Sequence, residues 1–226
     1  MFKKIYCVAE PGRAMAARNL PLLGAFVLLA IITWLTACKT TPTAVNLDET
    51  GWKILQGQAV WRAKEDAPEI AGELVMATNA DGRAFLEFTK DPLPLLIAQT
   101  TAASWQIEFV PQNRSLSGRG KPPARLGWLY LTACMEGQPP PKHWHLQQTN
   151  YNRWRMEDPG RGEVLDWLLD LPLPANHKVQ NGETLASIAA WYGITEAALR
   201  SPNPNLGGAS PKVDDVLTLP GSSPPQ

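Results

Sequence analysis

The chain has no excess of charge of either sign, and it is poor in histidine and cysteine. Its 21 basic side chains are matched by 21 acidic ones, so charge gives no reason to expect a nucleic-acid partner. Only three histidines and three cysteines are present. The Gly-rich loop that cradles phosphates and the Gly-x-Ser-x-Gly nucleophile elbow are both missing. We therefore expect neither a nucleic-acid partner nor a cofactor.

Tryptophan and proline, in contrast, are abundant. The 226 residues include nine Trp and 21 Pro. Tryptophans supply mass for a hydrophobic core, and prolines mark turns and linkers. The length allows one medium domain or two small ones.

The N-terminus reads as a targeting segment that should be left out of the fold. An apolar run extends from Leu20 to Ala37 and ends in the sequence Leu35-Thr36-Ala37-Cys38. The basic residues before or at its start are Lys3, Lys4, Arg13 and Arg18. A basic end of this kind predicts that the rest of the chain lies outside the cytoplasm. Met15 is an alternative start of translation.

Small residues directly before Cys38 resemble the lipobox of bacterial lipoproteins. The resemblance implies a signal peptide over residues 1–37 and acyl chains on Cys38, the first mature residue. A plain transmembrane anchor is the alternative, because the apolar run approaches the roughly 20 residues that span a bilayer. Residues 38–50 then form a polar tether, and Lys39 after the Cys suggests the outer membrane by the same resemblance.

The cysteines agree with this interpretation. Cys7 leaves with the leader, Cys38 carries lipid, and Cys134 is left alone. We therefore expect no disulfide even in an oxidising compartment. The mature chain is mildly negative, so the acyl chains rather than charge must hold it at a membrane.

Residues 51–171 show mostly a period of two, which predicts an antiparallel sheet of about eight strands. Asp81-Gly82 between two alternating runs indicates a hairpin. The expected strands lie at residues 58–62, 72–78, 83–89, 95–98, 105–109, 126–131, 143–147 and 153–156. Val75 and Phe85 are apolar on the second face of their strands, so the sheet should curl or be covered on both sides. Val164, Leu168 and Leu171 at helical spacing predict a covering helix over residues 161–171.

A lipobox, a curled sheet and a covering helix together look like the periplasmic lipoprotein carriers and their outer-membrane acceptor. The resemblance spans residues 51–171 and would imply a half-open barrel that shelters acyl chains. A filled β core without a ligand is the alternative interpretation.

Two sets of residues in this region could carry catalysis. His143 and His145 form an His-x-His pair, which on a strand would place both rings on one side, as zinc sites often do. The upstream ligands that such cell-wall peptidases need are missing, because no histidine precedes His143. Cys134 is expected to end a strand rather than begin a helix, so we interpret it as a small hydrophobe and not a nucleophile.

The C-terminal segment has a different character. After a Pro-bearing linker at residues 172–176, the chain reads as a strand from His177, two short helices and a closing strand at residues 216–220. Thr184 is placed to cap the first helix and Gly193 to end it. The turn Gly182-Glu183-Thr184 and the segment Asn203-Pro204-Asn205-Leu206 resemble those of LysM domains, over residues 177–220.

The LysM resemblance implies a βααβ fold that binds N-acetylglucosamine-containing glycans, chiefly peptidoglycan. It places the glycan groove between two loops, formed by Gly182, Glu183, Thr184, Asn203, Pro204, Asn205 and Leu206. Asp214 and Asp215 depart from the family's usual Gly-Gln and could weaken glycan binding. Trp191 could stack on sugar or dock on the sheet domain, and the short linker favours docking.

The sequence thus predicts an α+β protein: a curled antiparallel domain with a covering helix, a LysM domain, and a tail at residues 221–226. We expect a non-catalytic, lipid-anchored envelope protein that faces the periplasm and binds peptidoglycan. A cell-wall hydrolase and a lipid or lipoprotein carrier are the alternatives. No particular protein partner is indicated.

Overall fold

The computed structural model describes residues 45–207 and 209–221. The signal peptide, Cys38 and the start of the tether lie outside these residues, as does most of the C-terminal tail. No helix in the described part of the chain has both the length and the apolar character needed to cross a bilayer.

Nine antiparallel strands form the main sheet of the described residues. In chain order they are β1 (Trp52–Arg62), β2 (Ile70–Asn79), β3 (Ala84–Lys90), β4 (Leu93–Thr100), β5 (Ser104–Phe109), β6 (Arg114–Arg119), β7 (His145–Asn150), β8 (Arg153–Asp158) and β9 (Glu163–Leu169). Their spatial order is β6-β5-β4-β3-β2-β1-β9-β8-β7. The sheet therefore consists of two meanders, β1–β6 and β7–β9, which join where β9 pairs with β1. It is open, and β6 and β7 are its edge strands.

Local sequence determines the hairpin between β2 and β3. Asn79 Oδ1 accepts the Asp81 amide at 3.2 Å, and the Asn79 amide donates to the Arg83 carbonyl at 2.9 Å. Gly82 takes a positive φ of 85°, which glycine adopts without steric cost. The predicted Asp-Gly hairpin between β2 and β3 is confirmed.

Strands β1 and β9 approach each other closely at Gly57. Gly57 pairs with Leu169, and a Cβ atom at Gly57 would lie only 2.0 Å from the carbonyl oxygen of Leu168. Glycine is thus required for the two backbones to approach this closely. The sheet also curls, since Trp61 of β1 stacks on Phe109 of β5 with ring centroids 6.4 Å apart. The sheet has a buried inner face and a partly exposed outer face, where the apolar side chains Val75 and Phe85 are half-buried.

The predicted covering helix over residues 161–171 is wrong, because this segment forms strand β9. Leu165, Trp167 and Leu169 alternate inward and are almost fully buried, as a strand requires. Over so short an apolar segment the helical and the strand period both fit, and the free edge of β1 supplies the hydrogen bonds that decide between them. That edge is about 100 residues away in sequence, so no local pattern could reveal it.

The inner face is covered instead by the segment where a strand was predicted over residues 126–131. A 3₁₀ turn at Gly127–Tyr130 leads into the short helix α1 (Leu131–Met135). Trp128 packs on Phe88 with ring centroids 5.2 Å apart and edge-on to Trp61 at 5.8 Å. A segment that is buried on all sides has a continuous apolar sequence. Such a sequence shows neither the helical nor the strand period, so it does not distinguish the two.

The interior of the curled sheet is filled by side chains. Trp144 lies against Gly127 and donates its indole N–H to the Ala124 carbonyl at 2.8 Å. The largest fully buried side chains of the sheet domain are Trp167, Phe88, Leu74, Met76, Leu86, Leu96, Ile107, Leu131, Met156, Leu165 and Leu169. Two small pockets beside the 3₁₀ turn and α1 have volumes of only about 20 Å³ and 10 Å³. The inner face is thus a packed core.

Candidate functional site

Beyond the linker the chain folds as a small unit with the order strand, helix, helix, strand. The elements are β10 (Asn176–Lys178), α2 (Leu185–Tyr192), α3 (Glu196–Arg200), a 3₁₀ turn at Pro204–Leu206, and β11 (Val216–Thr218). β10 and β11 are antiparallel, with His177 opposite Leu217. The core of this unit consists of Val179, Leu185, Ile188, Ala189, Leu199, Leu217 and Leu219.

Capping residues set the limits of α2. The Thr184 hydroxyl accepts the Ser187 amide at 3.1 Å, and the Ser187 hydroxyl accepts the Thr184 amide at 2.8 Å. This reciprocal capping box satisfies two amides that the helix leaves unpaired. Gly193 ends α2 in the left-handed region, with φ at 68°. The predicted roles of Thr184 and Gly193 are both confirmed.

Glu183, in the first of the two loops predicted to bind glycan, is tied to the strand before it. Its Oε2 accepts the Gln180 amide at 2.6 Å and lies 2.8 Å from His177 Nε2. Although burial alone would raise the pKa of Glu183, these two hydrogen bonds lower that pKa below its usual value. The carboxylate therefore holds the loop in place and offers little to a ligand.

His177 and Tyr192 were not singled out in the sequence, although they complete this arrangement. His177 Nδ1 lies 3.0 Å from the Tyr192 hydroxyl, and Tyr192 packs on Tyr151 of the β7–β8 hairpin with ring centroids 5.1 Å apart. The participants come from three separate elements. Their spacing along the chain follows no pattern that sequence reasoning could have used.

The second predicted loop is fastened by Asn203. Its side-chain amide bonds both the amide and the carbonyl of Thr218, and also the Leu199 carbonyl. Leu206 packs on the core of the small unit, whereas Pro204 and Asn205 are exposed. Asn205 is thus the polar side chain of this loop that remains accessible to a ligand.

The two loops border the same two-stranded sheet. Glu183 contacts β10 through His177, and Asn203 contacts β11 through Thr218. Because β10 and β11 pair directly, the structure brings both predicted loops to one small element. The outward groups are the backbone around Gly182 together with Pro204 and Asn205.

The two acidic residues before β11 take part in the closing turn. Asp214 has a positive φ of 70° and lies 2.8 Å from the Lys178 ammonium. The Asp215 carboxylate accepts the Lys212 amide at 2.8 Å, and its carbonyl accepts the Val179 amide at 2.9 Å. Part of the negative charge expected to disfavour glycan is therefore engaged within the fold.

The small unit contacts the sheet domain at the β7–β8 hairpin. The Tyr151 amide donates to the Trp191 carbonyl at 2.9 Å, and the Tyr151 hydroxyl donates to the Pro172 carbonyl at 2.7 Å. The Trp191 indole is 37% exposed. Docking occurs here as the short linker led us to expect, but through the Trp191 backbone and Tyr192 rather than through burial of the indole.

The two candidate catalytic sets are arranged differently from the sequence predictions. His143 lies before β7 with φ at 75°, and His145 begins the strand, so the expected shared strand face is wrong. Residues 45–207 and 209–221 contain no group of three or more His, Cys, Asp or Glu side chains placed to hold a metal.

Cys134 lies in helix α1 and does not end a strand, contrary to the sequence prediction. The prediction failed because the segment that covers the inner face of the sheet is helical, whereas a strand was expected there. The thiol is buried, and this burial raises its pKa to about 11. Cys134 is therefore a protonated, packed thiol at neutral pH.

Comparison with known proteins agrees with the geometry of the small unit. Residues 177–220 match the family model of the LysM domain. The chain thus contains a LysM domain, a module generally known to bind peptidoglycan and chitin, and a glycan is its expected ligand. No curated protein matches the chain.

Proposed function

We propose that this protein is a non-catalytic lipoprotein of the bacterial cell envelope that binds N-acetylglucosamine-containing strands of peptidoglycan. The LysM domain at residues 177–220 is the observation that carries the proposal. The lipobox-like sequence ending at Cys38 supports an acyl anchor at the other end of the chain. These two features support an envelope location facing the periplasm, and Lys39 after the Cys supports the outer membrane.

Membrane anchoring complements the weakness of a single glycan-binding module. Few polar contacts are available per sugar, so one LysM domain binds with low affinity. A lipid on Cys38 would confine the module to the narrow space beside the wall and raise its effective concentration there. The sheet domain then acts as a binding or spacing element between the anchor and the module.

The structural features of the sheet domain favour binding over catalysis or lipid carriage. The Cys134 thiol is protonated and buried, which is the opposite of an activated nucleophile. His143 and His145 do not share a strand face. The packed inner face supports the filled-core alternative rather than a half-open barrel for acyl chains.

Sedimentation of the full-length chain with purified peptidoglycan, in detergent, tests the glycan proposal. We expect the chain to cosediment with the wall and to be released by soluble N-acetylglucosamine oligomers. Asn205→Ala should weaken cosedimentation by about fivefold, since one or two hydrogen bonds to a sugar are lost. The control variant Gln138→Ala removes an exposed side-chain amide from the sheet domain, outside the predicted glycan loops, and should bind as the parent does. Equal binding to wall material stripped of its glycan would contradict the proposal.

The anchor and the absence of catalysis need separate experiments. Mass spectrometry of the native protein should show acyl chains on Cys38 as the first residue of the mature chain, and an unmodified Cys38 thiol would refute lipidation. Zymography on peptidoglycan should show no clearing. A clearing zone that disappears in His143→Ala would favour the hydrolase instead.

A further inference from the structure

The outer face of the sheet domain carries a cavity of about 530 Å³ that the LysM module does not explain. This volume falls within the range of pockets that hold small ligands. The cavity crosses strands β8, β9, β1, β2 and β3. Its central row consists of the register partners Arg153, Leu168, Gln58, Glu73 and Thr89.

The floor of the cavity also contains aliphatic side chains, which lie among the polar members of the central row. Val60 and Ala71 face each other across β1 and β2, and Leu168 is 37% exposed although it lies mid-strand. An accessible leucine between two buried neighbours is a surface that a ligand can cover. The floor suits small aliphatic groups.

The two ends of the cavity carry charges that are available to a ligand. At one end Arg153 uses its Nε to bind Asp166 at 2.8 Å, and its side chain remains half exposed. Its terminal nitrogens make no hydrogen bond within the described residues. At the other end Glu73, Lys90 and Asp91 are exposed and form no ion pair within the described residues. A ligand with both a carboxylate and an ammonium group could therefore be held by both ends.

The length of the cavity indicates how large such a ligand is. Four inter-strand steps of about 4.8 Å separate Arg153 on β8 from Thr89 on β3, which gives roughly 19 Å along the sheet. An extended peptide covers about 3.4 Å per residue. A peptide of about five residues would thus reach from Arg153 to Lys90.

The position of the cavity connects it to the LysM module. Arg153 lies two residues from Tyr151, whose amide bonds the Trp191 carbonyl of the module. Two residues of chain span at most about 7 Å. The charged end of the cavity is therefore beside the point where the glycan-binding module docks.

We propose that this cavity binds the short zwitterionic peptide that is attached to the glycan strand of peptidoglycan. The inference rests on the proposed function, because the module would deliver the glycan and the cavity would hold the attached peptide. The small aliphatic floor fits alanine-sized side chains, and the opposite charges at the two ends fit the peptide's carboxylate and ammonium groups. Engagement of both parts of one molecule makes the second contact intramolecular and strengthens binding.

An NMR titration of the full-length chain in detergent micelles tests the proposal with three probes. These are an N-acetylglucosaminyl–N-acetylmuramyl pentapeptide, the same disaccharide without its peptide, and the free pentapeptide. Amide signals of Ala71 and Leu168 report on the cavity, and those of Gly182 and Asn205 report on the module. We expect the peptide-bearing disaccharide to bind about tenfold more tightly than the bare disaccharide and to shift both sets of signals.

The double variant Glu73→Gln/Lys90→Gln should remove that gain and leave the Gly182 and Asn205 signals responsive. Glu136→Gln/Lys142→Gln makes the same charge change at exposed positions away from the outer-face cavity and should keep the gain. The proposal is overturned if the bare disaccharide binds as tightly as the peptide-bearing one, or if the gain survives in the first double variant. In both cases the glycan-binding function would still stand.

Failure of the proposed function gives a different pattern. Binding of the free pentapeptide with shifts at Ala71 and Leu168, but without any response to the bare disaccharide, would support the cavity and refute glycan binding. No response to any of the three probes would refute both.

Discussion

Asn203 and Thr218 are joined in both directions by hydrogen bonds. Asn203 Oδ1 accepts the Thr218 amide at 2.9 Å, and Asn203 Nδ2 donates to the Thr218 carbonyl at 2.7 Å. The same Nδ2 donates to the Leu199 carbonyl at 2.7 Å. One side chain thus connects the end of α3, the second loop and β11. The resemblance had assigned Asn203 to glycan contact, whereas its geometry gives it a role in holding the fold.

Asn203→Ala should therefore destabilise the LysM module. Three hydrogen bonds are lost and the Leu199 carbonyl loses this side-chain donor, so we expect a loss of about 2–3 kcal/mol in the free energy of unfolding. Hydrogen exchange at the Ile188 and Leu217 amides, which lie in the module core, measures this loss. Asn205→Ala is the matched control and should leave exchange unchanged while weakening glycan binding. Equal exchange in Asn203→Ala and the parent would contradict the assigned role.

Tyr151 connects the LysM module to the sheet domain by its ring and its hydroxyl. Tyr151→Ala removes the packing on Tyr192 and the hydrogen bond to the Pro172 carbonyl. We expect proteolysis within the linker, at residues 172–175, to become about tenfold faster, since a docked linker is cleaved only after local opening. Tyr151→Phe keeps the ring contact and should lie between the parent and Tyr151→Ala. An unchanged cleavage rate in Tyr151→Ala would show that the docking does not restrain the linker.

Glu183 should make the stability of the LysM module depend on pH in the acidic range. Its folded pKa is lowered by the hydrogen bonds from Gln180 and His177, against the effect of burial. The carboxylate therefore contributes stability above its unfolded pKa of about 4.3, and this contribution is lost as pH falls through the lower folded pKa. We expect the stability advantage of the parent over Glu183→Gln, measured by urea unfolding, to shrink between about pH 5 and pH 3. A constant difference over that interval would rule out the linkage.

Cys134 should resist alkylation in the folded protein. Burial raises its pKa to about 11, so only a small fraction is thiolate at neutral pH, and the side chain is 7% exposed. We expect iodoacetamide to modify Cys134 at least about 100-fold more slowly in the native chain than in urea. The Cys7→Ala/Cys38→Ala double variant should be used, because Cys134 is then the sole cysteine of the chain. Rapid native labelling would reopen the nucleophile hypothesis.

The parts of the fold that sequence could predict are those determined within a few residues. Thr184 and Gly193 fix the ends of α2 through hydrogen bonds to neighbours at most four residues away, and Asp81-Gly82 fixes a hairpin in the same way. The segments at residues 126–131 and 161–171 were mispredicted because both are short and apolar. Their conformations depend on packing against strands distant in sequence, which no local period records.

The candidate site, too, could be predicted from the sequence only in part. The sequence predicted one loop between the first strand and the first helix and one after the second helix, because turn residues determine where a chain reverses, and both loops lie there. It could not show that Glu183 and Asn203 direct their polar atoms inward, since this depends on His177 and Thr218, which other elements supply. The outer-face cavity could not be predicted from the sequence either, because its residues come from five strands.

Gly57 provides the most direct test of how closely β1 and β9 approach each other. A Cβ atom there would lie 2.0 Å from the Leu168 carbonyl oxygen and 2.8 Å from the Leu169 Cα, and both are backbone atoms that cannot rotate away. Gly57→Ala must therefore separate β1 from β9, and we expect a loss of about 3 kcal/mol or more in the free energy of unfolding. Gly82→Ala is the control, because a Cβ there meets no atom within 4 Å and only its positive φ costs about 1 kcal/mol. If the two variants unfold at the same midpoint concentration of urea, β1 and β9 do not approach each other as closely as the structure indicates. Because the outer-face cavity spans the same two strands, Gly57→Ala should also weaken binding of the peptide-bearing disaccharide.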